Sequence, residues 1–460
     1  MASTYLQRTP SSAGGQRTFT WSYWIKKRGI NPSSTFKLFD CGNGTNYFTI
    51  YFPDTHTITV KGRVSSSTVL ELVTSAIYQD PSSWYHVVVA LDTTQAASSD
   101  RCKVYVNGSQ VTAFATETYP TQNTDFELQD ASLPWYIGCK YDQSAGEFFD
   151  GVMAQVECTD GTAYPASTFG STDATSGMWV PNTSPSVTYG TNGFKLDFAN
   201  SSDMGNDVSG NANDFTVSAG TLTQTQDCAS NNFSTWNDLT SESWGGKTTE
   251  FVYLMSNGET TFDTTGNATY QQIALSNLGM TSGKYYMEIK VATASRFIAG
   301  ICNQRVWLSA SVPYNTTDNS GLFYRYVPDI AYDTNNYSTG ITGISDGDIL
   351  GFALDVDNKN WYIHVNGTYM NSGDPTSGAT GTGSISAATS KNMFNHGPVF
   401  FCICDFSSSG SGMKGEANFG NGYFGTTAVS SAGTAGSTPG VFEYDVPCGY
   451  QPLSTKGINA

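Results

Sequence analysis

Polar and apolar residues alternate with a period of two in segment after segment of this chain. Thr18 to Lys26 places Phe19, Trp21, Tyr23 and Ile25 on one side and mostly polar groups on the other, the pattern of a strand with one buried face. Trp84 to Leu91 is bulky on both sides, which predicts a central strand covered on both faces. Lys103 to Thr112 reads as a hairpin with Asn107-Gly108 at its tip, because a type I′ turn needs positive φ at both central residues. Asn366-Gly367, between Trp361–Val365 and Thr368-Tyr369, repeats the device. No segment has a convincing helical period, although Pro165 to Gly170 has room for a single turn. Short strands separated by turn residues predict antiparallel sandwiches rather than a parallel sheet.

Composition strengthens this and adds exclusions. Only 13% of the 460 residues are charged, against the usual ~25%, while aromatics reach 13% and glycines number 47. A surface built from Ser, Thr, Asn and Gly is poor in helix formers, so the fold class is all-β. Lys+Arg 22 against Asp+Glu 39 gives 22 − 39 = −17, a field that repels phosphate backbones and anionic lipid. Nucleic acid and membranes are therefore not expected as partners. Met1 to Arg8 has no apolar h-region, and no stretch approaches the ~20 apolar residues of a membrane span, so neither a cleaved signal nor membrane insertion is expected. The cysteines are odd in number and scattered, which fits neither a disulfide scaffold nor a zinc site. Val399 to Cys404 reads as a buried strand, with Cys402 and Cys404 as buried thiols.

The sequence turns small and polar from Ser234 to Lys247 before strands resume at Phe251. This places a first domain at residues 1–235, a linker at 236–250, a second domain at 251–430 and a C-terminal tail at 431–460. Asn371 to Ser390 reads as a long surface loop. Residues 1–15 and Gly440 to Ala460, outside the expected sandwiches, are the candidate anchors for a partner.

The first half resembles the laminin-G family of concanavalin A-like sandwiches. Four landmarks carry the resemblance in the expected order: Phe19–Lys26, Trp84–Ala90, Val104-Tyr-Val-Asn-Gly108 and Phe149–Val156. Asp207 to Asp214 is similar to a phrase that in that family precedes the first strand, whereas here it follows the sandwich. The order looks permuted, and the strand at Phe215-Thr-Val217 is expected to return to the same sandwich. The second half resembles a SPRY domain at Gly283–Lys290, Arg296–Ile301, Asp346–Asp357 with Trp361–Gly367, and Ala417-Asn-Phe-Gly420. The resemblance implies two tandem concanavalin A-like antiparallel β-sandwiches of jelly-roll type with long loops. The succession of the two is similar to large virion proteins of tailed phages, marine ones in particular.

Candidate chemistry is sparse. His56, His86, His364 and His396 are far apart and read as structural. A glucanase of this clan would need carboxylates paired on one strand face, and no Glu has that spacing; Glu443-Tyr-Asp445 comes nearest. Gly343-Ile-Ser-Asp-Gly347 matches G-x-S-x-G, but it leads into a strand where a nucleophile elbow needs a helix. Asp207, Ser209, Asn211 and Asn213 alternate along one loop, which admits two readings. One is a calcium site built from oxygen ligands; the other is an Asx-turn loop whose side chains cap its own backbone. For glycan stacking, the aromatic candidates near expected loops are Trp135, Trp307, Tyr314 and Tyr324, with Trp236 and Trp244 beside them.

The expectation is a non-enzymatic virion structural protein, made in the host cytoplasm and displayed on the particle as a capsid decoration, fibre or tail-associated protein. Its expected partners are other virion proteins, a host-surface glycan, and further copies of itself in a homo-oligomer such as a trimer. The alternatives are a glycan-binding, lectin-like adhesin and a laminarinase-like polysaccharide hydrolase.

Overall fold

A computed structural model describes residues 4–27, 35–126, 132–143, 147–237, 255–264, 271–304, 320–332, 335–388, 392–406, 412–434 and 439–459. The chain divides into two compact units, Met1–Gln224 and Thr225–Ala460. Both are all-β, and the α-helix among the described residues is a single turn, α1 (Thr455–Ile458).

In the first unit an eight-stranded sheet runs β10 (Phe114–Thr118), β6 (Ser67–Thr74), β5 (Thr59–Val64), β4 (Tyr47–Phe52), β3 (Phe36–Gly42), β11 (Trp135–Ile137), β1 (Tyr5–Arg8) and β16 (Thr216–Ser218). Facing it, a six-stranded sheet runs β15 (Phe194–Leu196), β12 (Gly151–Asp160), β2 (Thr18–Lys27), β7 (Tyr85–Asp92), β8 (Cys102–Val106) and β9 (Ser109–Gln110). Between them lies one apolar core, to which β2 contributes Phe19, Trp21, Tyr23 and Ile25, the alternate residues of its pattern. On the outer side of the six-stranded sheet, the segment carrying β13 (Gly170–Thr172) and β14 (Trp179–Pro181) covers Val88 with Ala166 and Phe169. That cover explains why β7 is bulky on both faces.

The second unit repeats the architecture. One sheet runs β17 (Trp236–Asn237), β19 (Gln271–Ser276), β28 (Val399–Phe406), β21 (Ile298–Asn303), β22 (Gly321–Arg325), β23 (Asp329–Tyr332) and β24 (Asn335–Tyr337). The other runs β18 (Thr261–Asp263), β29 (Lys414–Asn418), β20 (Lys284–Thr293), β25 (Ile349–Asp355), β26 (Asn360–Val365) and β27 (Thr368–Tyr369). A short hairpin, β30 (Tyr423–Phe424) with β31 (Thr427–Ala428), follows, and β32 (Gln451–Pro452) pairs in parallel with β20. Cys402 and Cys404 are buried thiols on β28, as their strand pattern implies.

Both Asn-Gly tips form as expected, with φ of 47° and 81° at Asn107-Gly108 and 49° and 82° at Asn366-Gly367. The returning strand is present too, since β16 pairs antiparallel with β1 and Leu6 stands opposite Val217.

Four expectations about organisation are corrected. The boundary between units falls at 224/225, ahead of the linker expected at 236–250, because Phe233 bridges Ser454 and Trp236 pairs with Ser276 inside the second unit. Residues 431–460 are not a free tail: Phe442, Val446 and Tyr450 are buried against Tyr286, Ala353 and Tyr362 on the outer face of the second sheet. The N-terminal residues are not outside the sandwich, because Tyr5–Arg8 is an inner strand between β11 and β16. The expected loop 371–390 holds 3-10 turns whose Ser386 Oγ accepts from Trp361 N at 3.0 Å and whose Ile385 enters the core.

Candidate functional site

The aromatic candidates for a glycan platform do not gather. Trp135 lies on β11 in the middle of its sheet, 0% exposed, with Trp21 at 5.3 Å and Phe39 at 5.9 Å between ring centroids. Tyr324 is likewise 0% exposed in β22, and its hydroxyl donates to Thr342 O at 2.9 Å. Trp236 is buried against Phe419. In each case sheet neighbours occupy the face that a sugar would need. Trp307, Tyr314 and Trp244 lie outside the described residues.

The side chains of the Asp207 loop cap its own backbone. Asp207 Oδ1 accepts from Lys195 N and Ser209 N, both at 2.8 Å, and Oδ2 accepts from Ser209 Oγ and Asn213 N, both at 2.8 Å. Asn211 and Asn213 turn their amide N–H groups inward, to Gly190 O, Gly193 O and Thr191 O. The side-chain oxygen of Asn213 accepts from the Arg8 guanidinium. A fixed cation thus stands beside the loop, and both oxygens of Asp207, the hydroxyl of Ser209 and the side-chain oxygen of Asn213 are engaged by protein donors. Among the described residues no group of three or more His, Cys, Asp or Glu converges as a metal site.

Two buried polar constellations have the residue types of catalysis without its geometry. Ser22 Oγ lies 2.9 Å from His86 Nε2, the pairing of a nucleophile and its base. The Trp179 indole N–H donates to His86 Nδ1 at 2.9 Å, which places the proton of the neutral ring on Nε2, facing Ser22. A general base needs a lone pair there, so the tautomer is the wrong one. Burial pushes the His86 pKa down to about 3, and Trp24 stacks on the ring at 4.4 Å.

In the second unit Gly367 N donates to His364 Nδ1 at 3.1 Å, His364 Nε2 meets Tyr286 Oη at 2.7 Å, and Tyr286 Oη donates to Glu288 Oε1 at 2.9 Å. The backbone N–H groups of Glu443 and Tyr444 also donate to Glu288, each at 2.9 Å. The carboxylate fastens the C-terminal segment to β20, and its pKa is pushed up to about 7 by burial.

Paired carboxylates occur on the outer face of the eight-stranded sheet. Lys37 Nζ lies 3.3 Å from Asp40 and 3.5 Å from Glu147, and Lys140 Nζ holds the other Glu147 oxygen at 3.0 Å. Glycoside hydrolysis needs one carboxyl free to protonate and one to attack or activate water across an open groove. Here Asp40 is 2% exposed, and both Glu147 oxygens are held by lysines.

An open site lies elsewhere on that unit. A groove of about 550 Å³ runs along the outer surface of β1 and β16 beside the Asp207 loop. Leu6 points into the core, so Gln7 faces outward, opposite Thr216 on β16. Gln7, Arg8, Asn213, Asp214, Thr216 and Ser218 line it, every one able to donate or accept hydrogen bonds. Asp214 is its one acid, and Asp214 Oδ1 accepts from Asp207 N at 2.8 Å. The sequence carries no motif for this groove, because it joins residues 7–11 to residues 212–218 only through the β1–β16 pairing.

Residues 2–167 match the family described as the concanavalin A-like lectin/glucanases superfamily, Laminin_G_3. No curated protein matches the chain. Among solved structures, the chain is similar to a heptameric SAP-like pentraxin from Limulus polyphemus at 17% identity, with 39% of this chain and 86% of that one covered and a TM-score of 0.27. It is similar to the SPRY domain of human HERC1 at 17% identity, with coverage of 36% and 90% and a TM-score of 0.27. It is also similar to a putative carbohydrate binding protein from Bacteroides ovatus at 14% identity, with coverage of 47% and 56% and a TM-score of 0.30.

Proposed function

We propose that this chain is a non-enzymatic, glycan-recognising protein and that the groove along β1 and β16 is its binding site. The observation that carries the proposal is the lining of that groove, amide, hydroxyl and carboxylate groups gathered where β1 and β16 pair, with Gln7 and Thr216 side by side on the outward face. Sugar hydroxyls both donate and accept, and such a row complements them without large motions of the protein. The superfamily match over residues 2–167 supports a lectin-type role for this unit. A single acid in the groove supports binding over hydrolysis, which needs two.

We further propose that the protein acts on the surface of a phage particle, as a decoration, fibre or tail-associated component attached to other virion proteins. The support is the succession of a laminin-G-like and a SPRY-like sequence, together with the acidic, glycine-rich composition.

A glycan array probed with the full chain tests recognition, with Thr216→Ala combined with Gln7→Ala as the groove variant. Binding lost in the variant is the expected result; retained binding would move the site elsewhere. Antibody labelling of intact particles tests the display, and particles without label would end that part of the proposal.

A further inference from the structure

We propose that Lys37 and Asp40 condense into an intramolecular isopeptide bond, with Glu147 carrying the proton. Both residues lie on β3, where Phe36, Leu38, Phe39 and Cys41 all enter the core. Leu38 and Phe39 are consecutive, so the strand bulges there, and its register against β4 shifts between Lys37 and Phe39. Lys37 then stands opposite Tyr51 and Asp40 opposite Thr49, two steps apart on β4, which brings both side chains to the outer face. Lys37 Nζ lies 3.3 Å from Asp40 Oδ2 and 3.5 Å from Glu147 Oε2. It also donates to Thr49 Oγ1 at 3.1 Å and sits 4.1 Å from the centre of the Tyr51 ring, so the amine is held against its carboxyl.

Two features of the pair favour a bond over an ion pair. Lys37 is 6% exposed and Asp40 2%, and Asp40 Oδ1 is buried with no hydrogen-bond partner among the described residues. Two charges taken out of water with one oxygen unmatched are costly, whereas the amide that replaces them is neutral and sheds an oxygen. Burial also pushes the Asp40 pKa up to about 6, against the pull of Lys37, which raises the share of the neutral acid that an amine attacks. Groups held this close react as a unimolecular pair, and this offsets the usual disadvantage of amide formation in water.

The step balances without any co-reactant. A proton passes from the Lys37 ammonium to Asp40, leaving a neutral amine and a neutral acid. The amine lone pair attacks Asp40 Cγ and forms the C–N bond. Glu147 takes a proton from that nitrogen and hands it to the departing hydroxyl, the C–O bond breaks, and one water leaves. Glu147 returns to its starting form, and nothing is oxidised or reduced. Lys140 Nζ, 3.0 Å from the other Glu147 oxygen, fixes the carboxylate for both transfers.

The test is the mass of the denatured full chain, followed by a tryptic map. The chain should be lighter by one water, and the loss should lie in a single uncut peptide, 29–61, because trypsin does not cleave after an acylated lysine. A chain without the bond gives peptides 29–37 and 38–61 instead. Cyclisation at an Asp-Gly step loses a water too, but hydroxylamine opens that ring and leaves Lys37 cleavable, so persistence through hydroxylamine is part of the expected result. Lys37→Arg should restore the full mass. Glu147→Gln should lower the cross-linked fraction about tenfold or more after equal times, and Glu147→Asp should recover part of it. The measurement on unaltered protein stands even if a variant folds poorly. Full mass with cleavage after Lys37 would overturn the bond, and a cross-link that forms as fast in Glu147→Gln would overturn the role of Glu147.

Discussion

Gly351 stands directly opposite His364 across β25 and β26, and a Cβ on Gly351 would lie 1.9 Å from His364 Nε2. The imidazole leans over the glycine to reach Tyr286 on β20, the strand on the far side of β25. Glu288 pairs with Gly351 on that far side, so one row across three strands carries carboxylate, glycine and imidazole. The missing side chain is the space that lets the relay close. Gly351→Ala is expected to destabilise the second unit by about 1–3 kcal/mol through overpacking. Denaturant unfolding followed by hydrogen exchange on β20 and β25 measures this; unchanged protection would mean that the ring swings aside freely.

The same row sets a pH dependence. Burial pushes Glu288 from 4.5 up to about 7 and His364 from 6.5 down to about 4. Between these limits the native state holds a proton on Glu288 that the unfolded chain has released, so this contribution to stability falls as pH rises through 7. His364 works in the opposite sense, since the unfolded chain binds a proton that the native ring refuses, and stability falls as pH drops below 6.5. Tyr286, Asn418 and the N–H groups of Glu443 and Tyr444 face Glu288 as donors, and the nearby Glu443 carboxylate adds to the upward push. The two slopes oppose each other in the unaltered protein. In Glu288→Gln this carboxyl no longer opposes the histidine slope, and the midpoint of the second unit should fall from pH 6.5 to pH 4 more steeply than in the unaltered protein. A variant whose midpoint stays flat over that range would contradict the assignment.

Asp207 anchors its loop through four donors from Lys195, Ser209 and Asn213. Asp207→Ala is expected to cost roughly 2–3 kcal/mol, since buried N–H groups lose their acceptor. Because Arg8 already bonds Asn213, calcium at about 1 mM, where weak calcium modules bind, should leave the unfolding temperature of the first unit unchanged. A calcium-dependent rise abolished by chelator would restore the metal reading of Asp207, Ser209, Asn211 and Asn213.

Trp179 seals the pocket above His86 while resting on two glycines, where a Cβ at Gly108 or Gly170 would meet the indole at 2.8 or 2.7 Å. Trp179→Phe removes the donor to His86 Nδ1 and is expected to cost about 1–3 kcal/mol by leaving a buried acceptor unpaired. Nitrogen NMR of the unaltered protein should show a neutral ring protonated at Nε2 down to low pH, since burial holds its pKa at about 3. A proton on Nδ1 instead would reverse the polarity of the Ser22–His86 bond and reopen the question of a base.

Local patterns proved sufficient wherever one strand and its immediate turn decide the outcome. The core residues of β2, the two Asn-Gly tips and the buried thiols of β28 follow from alternation and from the φ that such turns require. Burial of Trp135 and Tyr324 did not follow, because exposure depends on which strands flank β11 and β22, and those partners are distant in sequence. The boundary was displaced for the same reason: Phe233 bridges Ser454, and Asn232 N donates to Thr455 Oγ1 at 3.0 Å.

The all-β class and the antiparallel character are properties of residue order, since side-chain period and turn chemistry act within a few residues. Which polar residues meet is a property of the folded sheets. β16 lies beside β1, joining residues about two hundred positions apart, and this pairing creates the groove and sets Arg8 next to Asn213. Gly351 leaves the opening through which His364 reaches Tyr286, and the C-terminal segment closes over Glu288. Contacts of this kind depend on strand register and on what covers each face, and neither is encoded in any short stretch of the chain.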